Sequence, residues 1–198
     1  MSSTITRLAR AGLLPAMVST WLMATAPAAG SAILSYAASL SGPAQLPPNP
    51  SPATGWAEVD VDDLAHTLHV RVNFSGLLGT TTAAHIHAPT PVPLDGTAAV
   101  ATTTPTFVGF PLGVTSGWYD ATLDLALASS YNPFFIAAHE GTTAGAEAAL
   151  LASIAGGEAY FNIHSSAFGG GEIRGFLVPF DPTPARAGTW GAIKTLYR

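Results

Sequence analysis

Two histidines spaced one residue apart, His85 and His87, carry the most specific chemical signal in the chain. In an extended strand, residues i and i+2 point to the same side, so the two imidazoles of His85-Ile86-His87 share a face while Ile86 claims the other. Neutral imidazole is a good donor for zinc and copper, and a His-x-His strand pair presents two such donors side by side. A third histidine obeys the same parity near the C-terminus. In Tyr160-Phe161-Asn162-Ile163-His164, Phe161 and Ile163 read as core residues, which sends Tyr160, Asn162 and His164 to the outer face. In Glu172-Ile173-Arg174-Gly175-Phe176-Leu177, Ile173 and Leu177 turn inward and Glu172 and Arg174 outward. The expectation is a surface metal site on His85, His87 and His164, holding copper or zinc, with Glu172, Arg174 and Asn162 supporting it from a second layer. Hydrogen-bonding histidines that tie loops to the sheet are the competing reading. Glu172 and Arg174 could equally form an exposed ion pair, and Asn162 could do no more than hold a loop.

The other histidines read more blandly. His66 and His69 fall on opposite faces of their strand, with His69 on the exposed side beside Arg71, and both read as solvated or turn residues. His139 sits beside Glu140 in an irregular stretch and is a fourth-ligand candidate, with a surface role preferred. No catalytic set stands out. There is no G-x-S-x-G, P-loop or Rossmann fingerprint, and Ser165-Ser166 beside His164 is not a nucleophile arrangement because strand neighbours face opposite ways. The chain reads as a non-enzyme more readily than as an enzyme.

The elements that must position these residues are short strands. Ile33 to Ser41 reads as the first. Residues 56–62 and 68–74 alternate apolar and polar side chains and read as a hairpin. A short strand follows over 84–88, another within 97–108, and one over 118–125 with Trp118, Leu123 and Leu125 as core candidates. Asn132-Pro133 opens an irregular stretch. Residues 142–155 form the one convincing helix, capped by Thr142 or Thr143 and ended by Gly156-Gly157. The last strand pair covers 159–164 and 172–178. The whole is expected to be an all-β, Greek-key antiparallel β-sandwich or flattened barrel of about seven or eight strands with that one short helix inserted.

Composition sets the frame. Of 198 residues 48% are hydrophobic, enough for a real core, and only 10% are charged. With no cysteine, disulfides, thiolate nucleophiles and Cys-ligated zinc are excluded. From Ile33 to Phe180 there are eleven acids and two bases, Arg71 and Arg174, a balance that repels phosphate backbones and argues against nucleic-acid binding. Arg7 and Arg10 precede an apolar run, Ala11 to Met23, and a small-residue stretch. This reads as an export signal over residues 1–32, cleaved after Ala28 or Ala32. An uncleaved membrane anchor is the alternative, disfavoured by the short run and Pro15. The body is then residues 33–180, secreted or periplasmic, and residues 181–198 form a linker and tail. Thr189 could cap a short helix there, either docked on the sandwich, left free, or used as a sorting tag.

Taken together, Ala84-His85-Ile86-His87-Ala88-Pro89, Gly157-Glu158-Ala159-Tyr160-Phe161-Asn162-Ile163-His164-Ser165 and Gly171-Glu172-Ile173-Arg174-Gly175 resemble the CHRD domain first described in chordin. The likeness covers roughly Ile33 to Pro179. Where that family usually has a glycine soon after the second histidine, this chain has Ala88-Pro89. The resemblance implies a superoxide-dismutase-like or immunoglobulin-like sandwich. Copper–zinc dismutases carry a His-x-His strand and a later strand histidine on copper, and His85, His87 and His164 match those positions. Their bridging histidine, zinc ligands and disulfide have no counterpart here. The resemblance therefore implies a secreted binding or structural module, acting on an extracellular protein or surface ligand and touching a membrane only through a retained signal. A mononuclear copper or zinc protein with redox activity is the alternative.

Overall fold

The computed structural model describes residues 33–181. The expected export signal and all but the first residue of the expected tail lie outside the described residues.

Alternation drives the strands. The first, β1 (Leu34–Ser41), pairs antiparallel with β2 (Thr54–Asp62), and β2 with β3 (Thr67–Ser75). In β2 and β3 every second residue is buried: Ala57, Val59 and Val61 face Val72, Val70 and Leu68 across the register, and Phe74 lies opposite Gly55. The chain then crosses to the far end of the sheet for β4 (Thr81–His87) and returns beside β3 as β5 (Gly117–Asp124). Two helices follow, α1 (Pro133–Ala138) and α2 (Thr143–Ala155). The strands β6 (Tyr160–Ser165), β7 (Ile173–Phe176) and β8 (Val178–Pro179) close the domain. Hydrogen bonding orders the strands β4-β6-β7-β1-β2-β3-β5, with β8 also on β1. The sheet curls so that its two ends share one core. Phe107 is the pivot: its ring stacks on Tyr119 of β5 at 5.8 Å and on Phe161 of β6 at 5.7 Å. The outcome is the all-β antiparallel sandwich that the alternation predicts. Among the described residues no helix is long and apolar enough to cross a membrane.

Three expectations need correction. Trp118 is not a core residue; it is 68% exposed, and Tyr119 takes the interior position opposite Val72. Tyr119, Ala121 and Leu123 share the parity that β3 demands, so register overrides the larger apolar side chain. Residues 97–108 form no strand and make only isolated bridges at Val100 and Thr102. The stretch opened by Asn132-Pro133 is helical rather than irregular, because the Asn132 side chain caps the Phe134 amide and Pro133 is preset for the first helical position. The longer helix is where the sequence puts it, with Thr142 as its cap.

Candidate metal centre

The site lies on the face of β4, β6 and β7 turned away from Ile86, Phe161 and Ile163, which are fully buried in the core. Pairing places His85 opposite Asn162, His87 opposite Tyr160, and His164 opposite Ala83. Asn162 in turn lies opposite Arg174 and Tyr160 opposite Phe176. Parity thus brings all three histidines onto one patch. Their ring centroids form a nearly equilateral triangle, with separations of 5.8, 5.3 and 5.7 Å.

One nitrogen of each ring is occupied by a backbone carbonyl. His85 donates from Nε2 to Pro105 at 2.7 Å, His87 from Nδ1 to Ala98 at 2.9 Å, and His164 from Nδ1 to Gly169 at 2.9 Å. These bonds fix the tautomers and leave His85 Nδ1, His87 Nε2 and His164 Nε2 as bare acceptors. The first two are buried without any hydrogen-bond partner. The third has only the Asn162 amide at 3.4 Å. One ligand atom from each histidine lies within 4.8 Å of the others. Donors on one first-row ion sit within about 3–4 Å of each other, so binding a single ion requires the rings to draw together slightly.

Burial decides the charge state. It pulls His85 and His87 down to about 4, against the opposing pull of their carbonyl bonds, and lowers His164 as well. All three are neutral at pH 7, the form that ligates metals. An acceptor buried without a partner costs about 1–3 kcal/mol. Two such acceptors beside a third describe a site that gains by taking an electrophile.

The expected exposure is the main correction. The patch faces outward from the sheet, yet His85 is 6% and His87 8% exposed, because the segment between Pro89 and Phe107 folds over them. His164 is partly open at the rim.

The second layer is partly different from the expected one. Tyr160 stacks flat on His87 at 4.8 Å, and the Arg174 guanidinium lies over Tyr160 at 4.7 Å. Asn162 accepts from Gln45 at 2.7 Å, which turns its amide nitrogen toward His164. Glu172 belongs elsewhere. Its carboxylate accepts from Ser51 at 2.6 Å, from the Leu78 amide at 2.6 Å, from the Gly79 amide at 3.2 Å and from Ser165. Burial pushes its pKa up, but these bonds outweigh it and leave the group below its ordinary value. Nor do Glu172 and Arg174 form an exposed pair: both are buried, and Arg174 donates to the carbonyls of Ala44 and Gly96. Gly171 makes room for this layer. A Cβ there would lie 2.5 Å from Asn162 Oδ1, and its φ of +128° suits only glycine.

The remaining histidines stay apart from the triad. His66 meets Glu147 of α2 at 2.9 Å, His69 meets Asp120 at 2.6 Å, and His139 packs on Phe135 at 4.3 Å. The role of Tyr160 could have been read from parity, since it shares a face with His164. The contributions of Gln45, Ala98, Pro105 and Gly169 come through loop geometry that no local pattern encodes.

Comparison with known proteins gives one match. The family model described as the CHRD domain covers residues 36–177, a span that contains all three histidines. No curated protein and no solved structure matches the chain.

Proposed function

The chain belongs to the CHRD domain family, and from that premise we propose that it is an exported sandwich module carrying a mononuclear metal site on His85, His87 and His164. The observation that supports the metal reading is the set of three imidazoles, each tethered by a carbonyl, with one ring nitrogen of each within 4.8 Å of the others and two bare nitrogens buried without any partner. Ligating histidines characteristically give their second nitrogen to such an acceptor. Copper and zinc are the ions whose chemistry suits the donors. Export rests on the charged start, the short apolar run and the small residues after it. A low charge density and a rigid sheet with long loops suit a module that meets an extracellular protein or surface ligand.

The test is metal analysis of the purified mature chain after dialysis against Cu²⁺ or Zn²⁺ at neutral pH. One ion per chain is expected, lost in His85→Ala and His164→Ala with the circular dichroism unchanged. No stoichiometric uptake, or a triple variant that binds as well as the parent, leaves the histidines as loop-holding residues. Mass spectrometry of the secreted chain tests export, which predicts loss of the first 28 or 32 residues; an intact Met1 on cytoplasmic protein refutes it.

A further inference from the structure

We propose that this site selects monovalent copper over divalent ions, an inference that rests on the metal reading above and adds to it the charge of the ion. The donors are three neutral imidazoles. Their outer nitrogens are held by carbonyls rather than carboxylates, so no negative charge enters from behind the ligands. Among the described residues the ligand group contains histidine alone, with no aspartate or glutamate in it. The nearest buried charge in the stack is positive. Arg174 lies over Tyr160, Tyr160 lies on His87, and the two hydrogen bonds of the guanidinium go to carbonyls. Glu172, two residues before Arg174, is committed to Ser51, Ser165 and two loop amides.

A cation entering this patch therefore finds no counter-charge among its ligands and a guanidinium behind one of them. The cost of moving an ion from water to a sheltered site grows with the square of its charge, so a dication bears about four times the penalty of a monocation. Repulsion from Arg174 doubles as well. Coordination preference points the same way. Zinc completes a tetrahedron with a fourth ligand, whereas a closed-shell cuprous ion needs no fourth donor. The nearly equilateral triangle of rings supplies three donors.

The experiment is competition on the full mature chain: anaerobic titration of Cu⁺ against a colorimetric cuprous chelator, and of Zn²⁺ and Cu²⁺ against chelators of known affinity. Cu⁺ is expected to bind more tightly than either divalent ion by at least about tenfold, the scale of one extra unit charge facing Arg174. In Arg174→Gln the divalent affinities should rise about tenfold more than the Cu⁺ affinity, because repulsion scales with ion charge. The reduction potential of bound copper should fall in the same variant. Divalent ions binding as tightly as Cu⁺ in the parent chain overturn the selectivity and leave the metal site standing; such a site would draw a hydroxide or other anion to offset the charge. No binding of any of the three ions overturns both. If Arg174→Gln does not fold, the ranking of ions on the parent chain decides alone.

Discussion

His87 shows how one side chain can be held in a state it would not choose in water. One nitrogen donates to Ala98, the ring is sandwiched against Tyr160, and the bare nitrogen is buried. Protonation would place a charge where nothing receives it, which is why burial holds His85 and His87 near 4. The consequence for stability has a definite sign. Above about 6.5 the folded and unfolded chains are both neutral at these positions, and the full stability is present. As pH falls from about 6.5 to about 4, the unfolded chain takes up protons that the folded chain refuses. Stability should then drop by roughly 1 kcal/mol per pH unit for each such histidine. Urea midpoints measured across that window should decline steadily, and a flat profile refutes the assignment. His66, raised chiefly by its hydrogen bond to Glu147, acts in the opposite sense: its contribution is present below the unfolded pKa and is lost as pH rises through the folded one. His66→Ala should therefore lower stability below about 6.5 without changing the slope of the decline there, and alter the pH dependence only above it. Glu172 acts in the same sense as the two buried histidines. Its depressed pKa adds stability above the ordinary carboxylate range, lost on further acidification. Glu172→Gln should cost about 3 kcal/mol at neutral pH, since an amide nitrogen would face groups that all donate; a change under ~1 kcal/mol in denaturant unfolding contradicts the hydrogen-bond account.

At the scale of elements, the strand that carries two of the three histidines lies at the end of the sheet, and an edge strand leaves alternate amides and carbonyls without partners. The segment over 97–108 supplies them without becoming a strand. Thr102 accepts from the Ile86 amide at 3.0 Å, Thr106 accepts from the Ala84 amide at 2.9 Å, and the Ala101 and Phe107 amides donate to the carbonyls of Ile86 and Ala84. Side-chain hydroxyls stand in for half of a ladder. Thr102→Val removes one acceptor from a buried amide and should cost about 1–2 kcal/mol. It should also weaken metal uptake, since the same segment holds His85 and His87 through Pro105 and Ala98. A variant that loses stability but binds the ion unchanged would separate the two roles. This edge also marks how far the sequence could be read. The Thr, Ala and Val content of 97–108 is that of a strand, but the hydroxyls bond across to β4 and break any ladder. Parity placed His85, His87 and His164 on one face because Ile86, Phe161 and Ile163 fill the core beneath them. It could not show that this face is covered, because the cover comes from loops distant in sequence. The same limit hid the burial of Arg174 and the separate employment of Glu172. Trp118 misled for another reason: grouping it with Leu123 and Leu125 overlooks that its parity is opposite to theirs, and the register with β3 gives the interior to Tyr119.

For the molecule as a whole, the histidine cluster and the core are two faces of the same strands, so an ion taken up at the cluster should be felt by the core. Strands β4 and β6 hold the histidines outward and Ile86, Phe161 and Ile163 inward, and Phe107 joins that end of the sheet to Tyr119 at the other. An ion held by His85, His87 and His164 would tie β4 to β6 across their outer face and favour the folded chain over the unfolded one. Mass action then stabilises the fold by about 2.7 kcal/mol when free ion reaches a hundred times its Kd. For a domain of this size that corresponds to a rise in melting temperature of roughly 5–10 °C. The increment should persist well below the ordinary imidazole pKa of about 6.5, because burial has already moved His85 and His87 to about 4. Protons compete seriously for the bare nitrogens of His85 and His87 only as pH approaches that lower value, and His164 is lowered too, so the increment should outlast the ordinary imidazole range. Calorimetric scans with and without the ion, at intervals from pH 7 to pH 4, measure it directly. His164→Ala should erase the increment while leaving most of the ion-free melting temperature, since His164 reaches the rim, where its hydrogen bonds are to a loop carbonyl and, at 3.4 Å, the Asn162 amide. An increment that survives in His164→Ala, or one that disappears already at pH 6, would mean that the ion sits elsewhere or that these nitrogens are not sheltered in solution.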